Sequence, residues 1–251
     1  MSATRLEIVA LGVGDAFSER SYSTCLAVRC DARTLLVDCP HPIRKMMREA
    51  ASSSGVALDL AALEAVVVTH LHADHASGLE GVGFYYKFVL GRRATLAAHP
   101  AVSARLWENH LAAGMDSLDW PPGQGRRARL DDFFDVVALD EAESVGVGPF
   151  AIGCRRTRHP VPTTALRIEA AGRRIAYSSD TEFDPELVAW LAEADLVLHE
   201  TGRGIHTPLE RLAGLPEELR RRMRLVHYPD DLDVAASGIE PLEQGRTYAV
   251  P

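Results

Sequence analysis

Short apolar runs of strand length alternate with segments of helical period along most of the chain. Residues 6–11, 25–29 and 34–38 are dense in Leu, Val, Ile and Ala, and residues 43–52 place apolar positions at helical spacing before a Ser/Gly stretch ends them. Residues 65–69 and 94–98 read as further strands, and His99-Pro100 leads into a helical run at 101–113. Residues 114–129 lose all periodicity and gain the Gly, Pro and polar density of a loop long enough to serve as a lid or binding flap. Trp120 in that loop is either an anchor onto the domain or a contact to substrate.

The alternation then resumes. A strand at 150–154 is followed by a hairpin of 165–169 with 174–177 turned by Ala171-Gly172. A helix at 185–193, a strand at 195–199, a helix at 217–223 and a strand at 225–227 complete the series. The pattern predicts an α/β fold: two sheets inside, helices outside, in one domain over 1–251.

Composition narrows the setting. With 47% apolar and 25% charged residues the chain is ordinary for a globular protein, and no apolar run approaches the roughly 18 residues of a membrane span. The N-terminal stretch has no signal-peptide organisation, so a cytoplasmic location is expected. Cys25, Cys30, Cys39 and Cys154 are too few and too irregular for a disulfide framework and read as buried thiols. A net charge of −8 argues against a bulk electrostatic grip on a long polyanion, and the short Arg runs at 91–93, 126–129, 155–158 and 220–222 read as solvated surface.

The chemistry concentrates after the strand at 65–69, where Thr69-His70-Leu71-His72-Ala73-Asp74-His75 packs three histidines and an aspartate into six positions. His70 and His72 are two apart and point the same way on an extended segment; a turn would send Asp74 and His75 to a neighbouring point. Imidazole and carboxylate suit divalent metals, and two adjacent pairs fit two metals better than one. Further ligands stand at other strand ends: His159 in Thr157-Arg158-His159-Pro160, Asp180 in Ser178-Ser179-Asp180-Thr181, and His227 after Leu225-Val226. His41, His99 and His110 have no partner spacing, and Gly12-x-Gly14 with Asp15 reads as the tight turn after the first strand.

His70-x-His72-x-Asp74-His75, with the apolar strand and Thr69 before it, resembles the metallo-β-lactamase superfamily signature, and Leu36-Val37-Asp38-Cys39 and His227 extend the resemblance over most of the chain. It implies an αββα sandwich of two mixed sheets with helices outside. It implies His70, His72 and His159 on one metal, Asp74, His75 and His227 on the other, and Asp180 between them. The cofactors implied are two divalent ions, zinc or manganese.

Asp180 stands where antibiotic-hydrolysing members commonly have Cys, which argues against a β-lactamase. Leu198-His199-Glu200-Thr201 and Gly204-Ile205-His206-Thr207 are similar to two motifs of the ribonuclease Z and phosphodiesterase branch, implying His206 as proton donor, Glu200 as its partner, Asp74 orienting a metal-activated hydroxide, and a homodimer. His206 has a plainer reading beside a helix start, with Thr207 as N-cap ahead of Pro208, and His199 reads as structural. The 21 residues from His159 to Asp180 hold a tight hairpin, with no room for the basic arm that grips transfer RNA. A small cyclic or nucleotide phosphodiester fits better; a thioester, ester or lactone on the same site is the alternative. An Arg of 155–158 or Arg203 facing the metals would favour the first and an apolar tunnel the second. Pro40-His41-Pro42, where Gly is common, is expected to reshape the pocket floor.

Overall fold

Strands β1 (Leu6–Gly12), β2 (Cys25–Cys30), β3 (Arg33–Val37), β4 (Leu63–Val68), β5 (Ala94–Ala98) and β6 (Phe134–Ala138) come first along the chain. β7 (Val145–Val147), β8 (Phe150–Arg156), β9 (Thr164–Ala170), β10 (Arg173–Tyr177), β11 (Leu196–Glu200), β12 (Met223–Val226) and β13 (Thr247–Ala249) follow in this computed structural model, which describes residues 5–118, 123 and 125–251. They form a sheet ordered β13-β1-β2-β3-β4-β5-β6 and another ordered β12-β11-β10-β9-β8-β7. Both are mixed: β3 to β6 run parallel after an antiparallel start, and β10 to β12 run parallel after an antiparallel meander.

Period-two alternation decides which layer each side chain joins. Ile8 and Ala10 of β1, and Ala65 and Val67 of β4, point between the sheets, where they meet Ile152, Leu166, Ile168 and Leu198. Val9, Leu11, Val66 and Val68 point the other way, onto Met46, Met47, Leu79 and Val82 of the helices outside. A strand covered on both faces reads as an unbroken apolar run, which is why β1 and β4 are plain in the sequence. A third apolar layer packs the outer face of the second sheet with Leu187, Leu191, Leu212 and Leu219 of the helices after β10. The result is helix, sheet, sheet, helix.

Several elements differ from the sequence reading. The helical run after His99 spans Pro100–Leu106, a π-helical turn at Trp107–Leu111 and Ala112–Met115, so it takes the first two residues assigned to the loop. The described remainder of that loop is closed by the Ala128 amide on the Asp116 carbonyl at 2.9 Å, and none of it lines the main cleft; Trp120 lies outside the described residues. Leu79–Phe84 with its π-helical extension Tyr85–Val89 was hidden by Gly81 and Gly83; a Cβ on Gly83 would stand 2.8 Å from Met115, so the glycine answers close packing. β6 escaped the reading because it buries little beyond Phe134, and β7 and β13 because they are three residues each. The Ala171-Gly172 turn has positive φ at both residues, as a two-residue hairpin requires. No described helix is long and apolar enough to cross a membrane.

Candidate metal centre

Four strand ends converge at one edge of the sandwich. β4 delivers His70, and the chain then starts a short helix, Ala73–Ala76, with His72 at its N-cap and Asp74 and His75 in its only turn. β8, β10 and β12 end just before His159, Asp180 and His227. Ser179 and His227 sit at positive φ, 49° and 53°, strained backbone of the kind that clusters at functional sites.

Asp180 is the centre. Its Oδ2 lies 3.6 Å from His70 Nε2 and 3.9 Å from His159 Nε2, while its Oδ1 lies 3.3 Å from His75 Nε2 and 3.6 Å from His227 Nε2. His72 Nδ1 is 3.1 Å from His159 Nε2, and Asp74 Oδ2 is 3.3 Å from His75 Nε2 and 3.2 Å from His227 Nε2. Three overlapping donor groups result among the described residues, His70–His72–His159–Asp180, Asp74–His75–His227 and Asp180–His206–His227, each with its ligand atoms within 4.8 Å of one another.

The donors fit divalent metal on physical grounds. His70 Nε2, His75 Nε2 and Asp180 Oδ1 are buried with no hydrogen-bond partner, an arrangement that is costly unless a cation completes it. Burial holds the His70 imidazole well below its usual range and pushes His159 down to about 4, so both present lone pairs. Burial alone would raise the Asp180 carboxyl, but His75, His227 and His70 outweigh it and hold it well below the usual carboxylate range. Burial opposes ionisation of Asp74 as well, and the His227 bond with the His75 imidazole beside it again prevails.

Behind these donors stands Asp38, which the sequence reading quoted without a role. Its carboxylate accepts from the Thr69 amide at 2.8 Å and the Thr69 hydroxyl at 2.9 Å, and meets His75 Nδ1 at 2.8 Å. The Thr69 hydroxyl also lies 3.1 Å from His70 Nδ1. A ligand histidine whose second nitrogen is bonded this way is fixed in ring orientation and tautomer.

The centre opens into a cleft of about 790 Å³ that His72, Asp74, His159, Asp180, His206 and His227 line with Asp15, Phe17, Glu19, Arg203, Asp230 and Asp231. His206 Nδ1 is 3.1 Å from Glu200 Oε1, which also accepts from the Thr181 amide at 2.7 Å. Burial opposes the His206 imidazolium, and the Glu200 carboxylate beside it outweighs that and raises it. Thr207 is not a helix cap: its hydroxyl donates to the Thr181 carbonyl at 3.0 Å, and the helix begins at Leu209 after Pro208. His199 is buried and turned to the Glu200 carbonyl at 2.7 Å, away from the cleft. Pro40, His41 and Pro42 do not reach the cleft; Pro40 and Cys39 pack against Gly78 instead. Arg155 and Arg158 pair with Glu186 and Asp184, leaving Arg203 as the arginine among the cleft's described residues.

The family model described as "Anti-Pycsar protein Apyc1" matches residues 6–247. The protein of that name from Saccharibacillus brassicae is 33% identical over 251 residues, spanning 96% of this chain and 98% of its own length. The one from Bacillus phage 010DV004 is 32% identical across 97% of this chain and 98% of its own. Among solved structures, the metallo-β-lactamase fold protein YhfI from Bacillus subtilis matches with a TM-score of 0.75 at 15% identity, over 98% of this chain and 99% of that one. Human tRNase Z, short form, matches at 0.70 and 18% over 98% and 99%. At such identities these two likenesses show the fold, which is the metallo-β-lactamase sandwich.

Proposed function

The chain belongs to the anti-Pycsar Apyc1 family, and from that premise and the site geometry we propose that it is a metal-dependent phosphodiesterase acting on a cyclic nucleotide or a similarly small phosphodiester. His70, His72, His159 and Asp180 would hold one divalent ion and Asp74, His75, His227 and Asp180 the other. Zinc suits this imidazole and carboxylate set, and manganese is the second choice. Such ions supply Lewis acidity at a phosphoryl oxygen and a lowered pKa for water.

The chain's own groups have distinct tasks. Asp74 lines the cleft between His75 and His227, where its ionised carboxylate can accept a hydrogen bond from the attacking water and aim it at phosphorus. His206, with Nδ1 on Glu200, is free to turn Nε2 to the cleft and give a proton to the departing oxygen. Glu200 holds that ring, and Thr181 and Thr207 hold the segment that carries it.

The observation that carries this reading is the His206–Glu200 pair placed in the same cleft as Asp74 and Asp180. The cleft's walls mix Asp15, Glu19, Asp230 and Asp231 with Ala16, Phe17, Ile205 and Pro229, and its one described arginine, Arg203, is paired with Asp231 at 2.8 Å, so the choice of a phosphodiester over an acyl substrate rests on the His206–Glu200 pair. We place the protein in the cytoplasm, in keeping with four buried free thiols, and as a homodimer, which light scattering tests by mass.

The direct test is a screen of the zinc- or manganese-loaded protein against bis(p-nitrophenyl) phosphate and a panel of cyclic nucleotides, set beside thioester and lactone substrates. Turnover confined to the phosphodiesters, and lost in His206→Ala with metal content retained, is the expected result. Turnover confined to acyl substrates would overturn the reading.

A further inference from the structure

Two histidines of the site are held in the same way. His75 Nδ1 meets the Asp38 carboxylate at 2.8 Å, and that carboxylate also accepts from the amide of Thr69, the residue before His70, at 2.8 Å. His206 Nδ1 meets the Glu200 carboxylate at 3.1 Å, and that carboxylate also accepts from the amide of Thr181, the residue after Asp180, at 2.7 Å. Both carboxylates belong to fully buried residues. A carboxylate on one ring nitrogen is the usual support of a histidine that binds metal through the other. His206 therefore carries the support of a ligand, although its role so far is only to give up a proton.

His206 also stands where a ligand would. A ring nitrogen lies within 4.8 Å of ligand atoms of Asp180 and His227, the same span as in the two sets assigned to ions. Two donors at about 2.0–2.2 Å from one zinc ion are at most about 4.4 Å apart, so a shift of roughly half an ångström closes the set. The His206 ring centre is 5.3 Å from that of His227, against 5.1 Å between His227 and His75. The loop from β11 to the helix Leu209–Ala213 permits such a shift. Its base is fixed, because the Thr207 carbonyl accepts from the Gly202 amide and the Thr201 hydroxyl at 3.0 Å each. At its tip the His206 amide reaches the Arg203 carbonyl by a long bond of 3.4 Å.

The geometry points to His206 as a displaceable fifth ligand of the ion assigned to Asp74, His75, His227 and Asp180, bound through Nε2 before substrate arrives and released when a phosphodiester oxygen takes its place. The inference rests on the metal centre of the proposed function and gives that site a second state. A catalytic ion keeps one position for water or substrate, and His206 fills it in the free protein. Its bond to Glu200 uses Nδ1 and survives in both states. On release, Nε2 takes a proton from water, and His206 becomes the donor described above. The second ion is thus closed at rest, and an anion opens it.

The experiment loads wild type and His206→Ala with two equivalents of cobalt(II), whose visible absorption reports the number and geometry of its ligands. Without added anion the two spectra differ, and chelator titration finds one equivalent held about tenfold more weakly in the variant while the other is unchanged. A tenfold loss still leaves both ions bound when metal is in excess. Inorganic phosphate removes the spectral difference, because in wild type it takes the position that the variant already leaves open. Glu200→Gln, which keeps an oxygen for the Thr181 amide and the His206 ring, weakens the same equivalent by less and serves if loss of the ring disturbs the loop. Matching spectra, with affinities within about twofold, overturn the ligand role, and a difference that phosphate leaves intact overturns the displacement. A protein that does not hold two equivalents of cobalt overturns the inference together with the metal centre. Hydrolysis of bis(p-nitrophenyl) phosphate by the same samples is read separately: the spectral change without turnover upholds the ligand role and removes the phosphodiesterase reading.

Discussion

Asp38→Asn isolates one ligand's support from the ligands themselves. Asn has the same shape and tolerates the positive φ of 60° found at Asp38, so the backbone need not move. At this fully buried position one side-chain oxygen must remain against the Thr69 amide, which donates to it at 2.8 Å. The new NH2 group then faces His75 Nδ1, where the carboxylate stands at 2.8 Å. Two donors cannot share that contact, so the imidazole proton moves to Nε2, the atom 3.3 Å from both Asp74 and Asp180. A proton there competes with a cation. Loss of such a supporting bond lowers metal affinity about 10–100-fold, equivalent to about 1.4–2.7 kcal/mol. That range overlaps the roughly 1.5–3 kcal/mol of a hydrogen bond to a charged group. Titration against a chelator of known affinity should resolve two equivalents. One should keep its wild-type strength, held by His70, His72, His159 and Asp180, and the other should weaken by the stated factor. Wild-type affinity at both positions, or equal weakening of both, would refute the reasoning.

Two further outcomes follow from packing and from the donor set. Gly12→Ala would place a Cβ 2.1 Å from the Ser23 carbonyl oxygen, so the β1–β2 bulge must open and the protein should lose about 3 kcal/mol or more in urea unfolding; an unchanged midpoint would contradict that contact. Stripping bound metal with a chelator should lower the thermal midpoint by roughly 5–10 °C, as expected for a ligand present at about 100 times its dissociation constant, and no shift would mean that the buried donors are stable without a cation.

How legible the molecule was depends on the distance over which each feature is written. His70 to His75 are contiguous, so strand, turn and donor pattern appear together, and strands buried on both faces announce themselves as apolar runs. His159, Asp180 and His227 are visible only as ligand-type residues just past strand ends, and the sequence alone offers no measure that Asp180 turns one oxygen to each histidine set. Asp38 was harder still, because its contacts are to the amide and hydroxyl of a residue 31 positions away and to a side chain 37 positions away. The tie from Asp230 to residues 18–20 leaves almost no trace: two of its carboxylate's three bonds end on backbone amides of residues about 210 positions earlier, and an amide has no residue type. Thr207 shows the opposite failure, where Thr-Pro before a helix suggests a cap and tertiary contact claims the hydroxyl for Thr181.

The pairing of β13 with β1 sets Glu7 opposite Ala249, Ile8 opposite Tyr248 and Val9 opposite Thr247. On the ribosome the order of appearance matters: β1 emerges first and its partner about 240 residues later, which at about 5–20 residues per second is a wait of roughly 12–50 s. Throughout that interval β1, already able to pair with β2, shows a bare outer edge of the kind that recruits other extended chains. The last strand is therefore a clasp as well as a neighbour, and nascent chains halted before residue 247 should be the species that a cell has to shield.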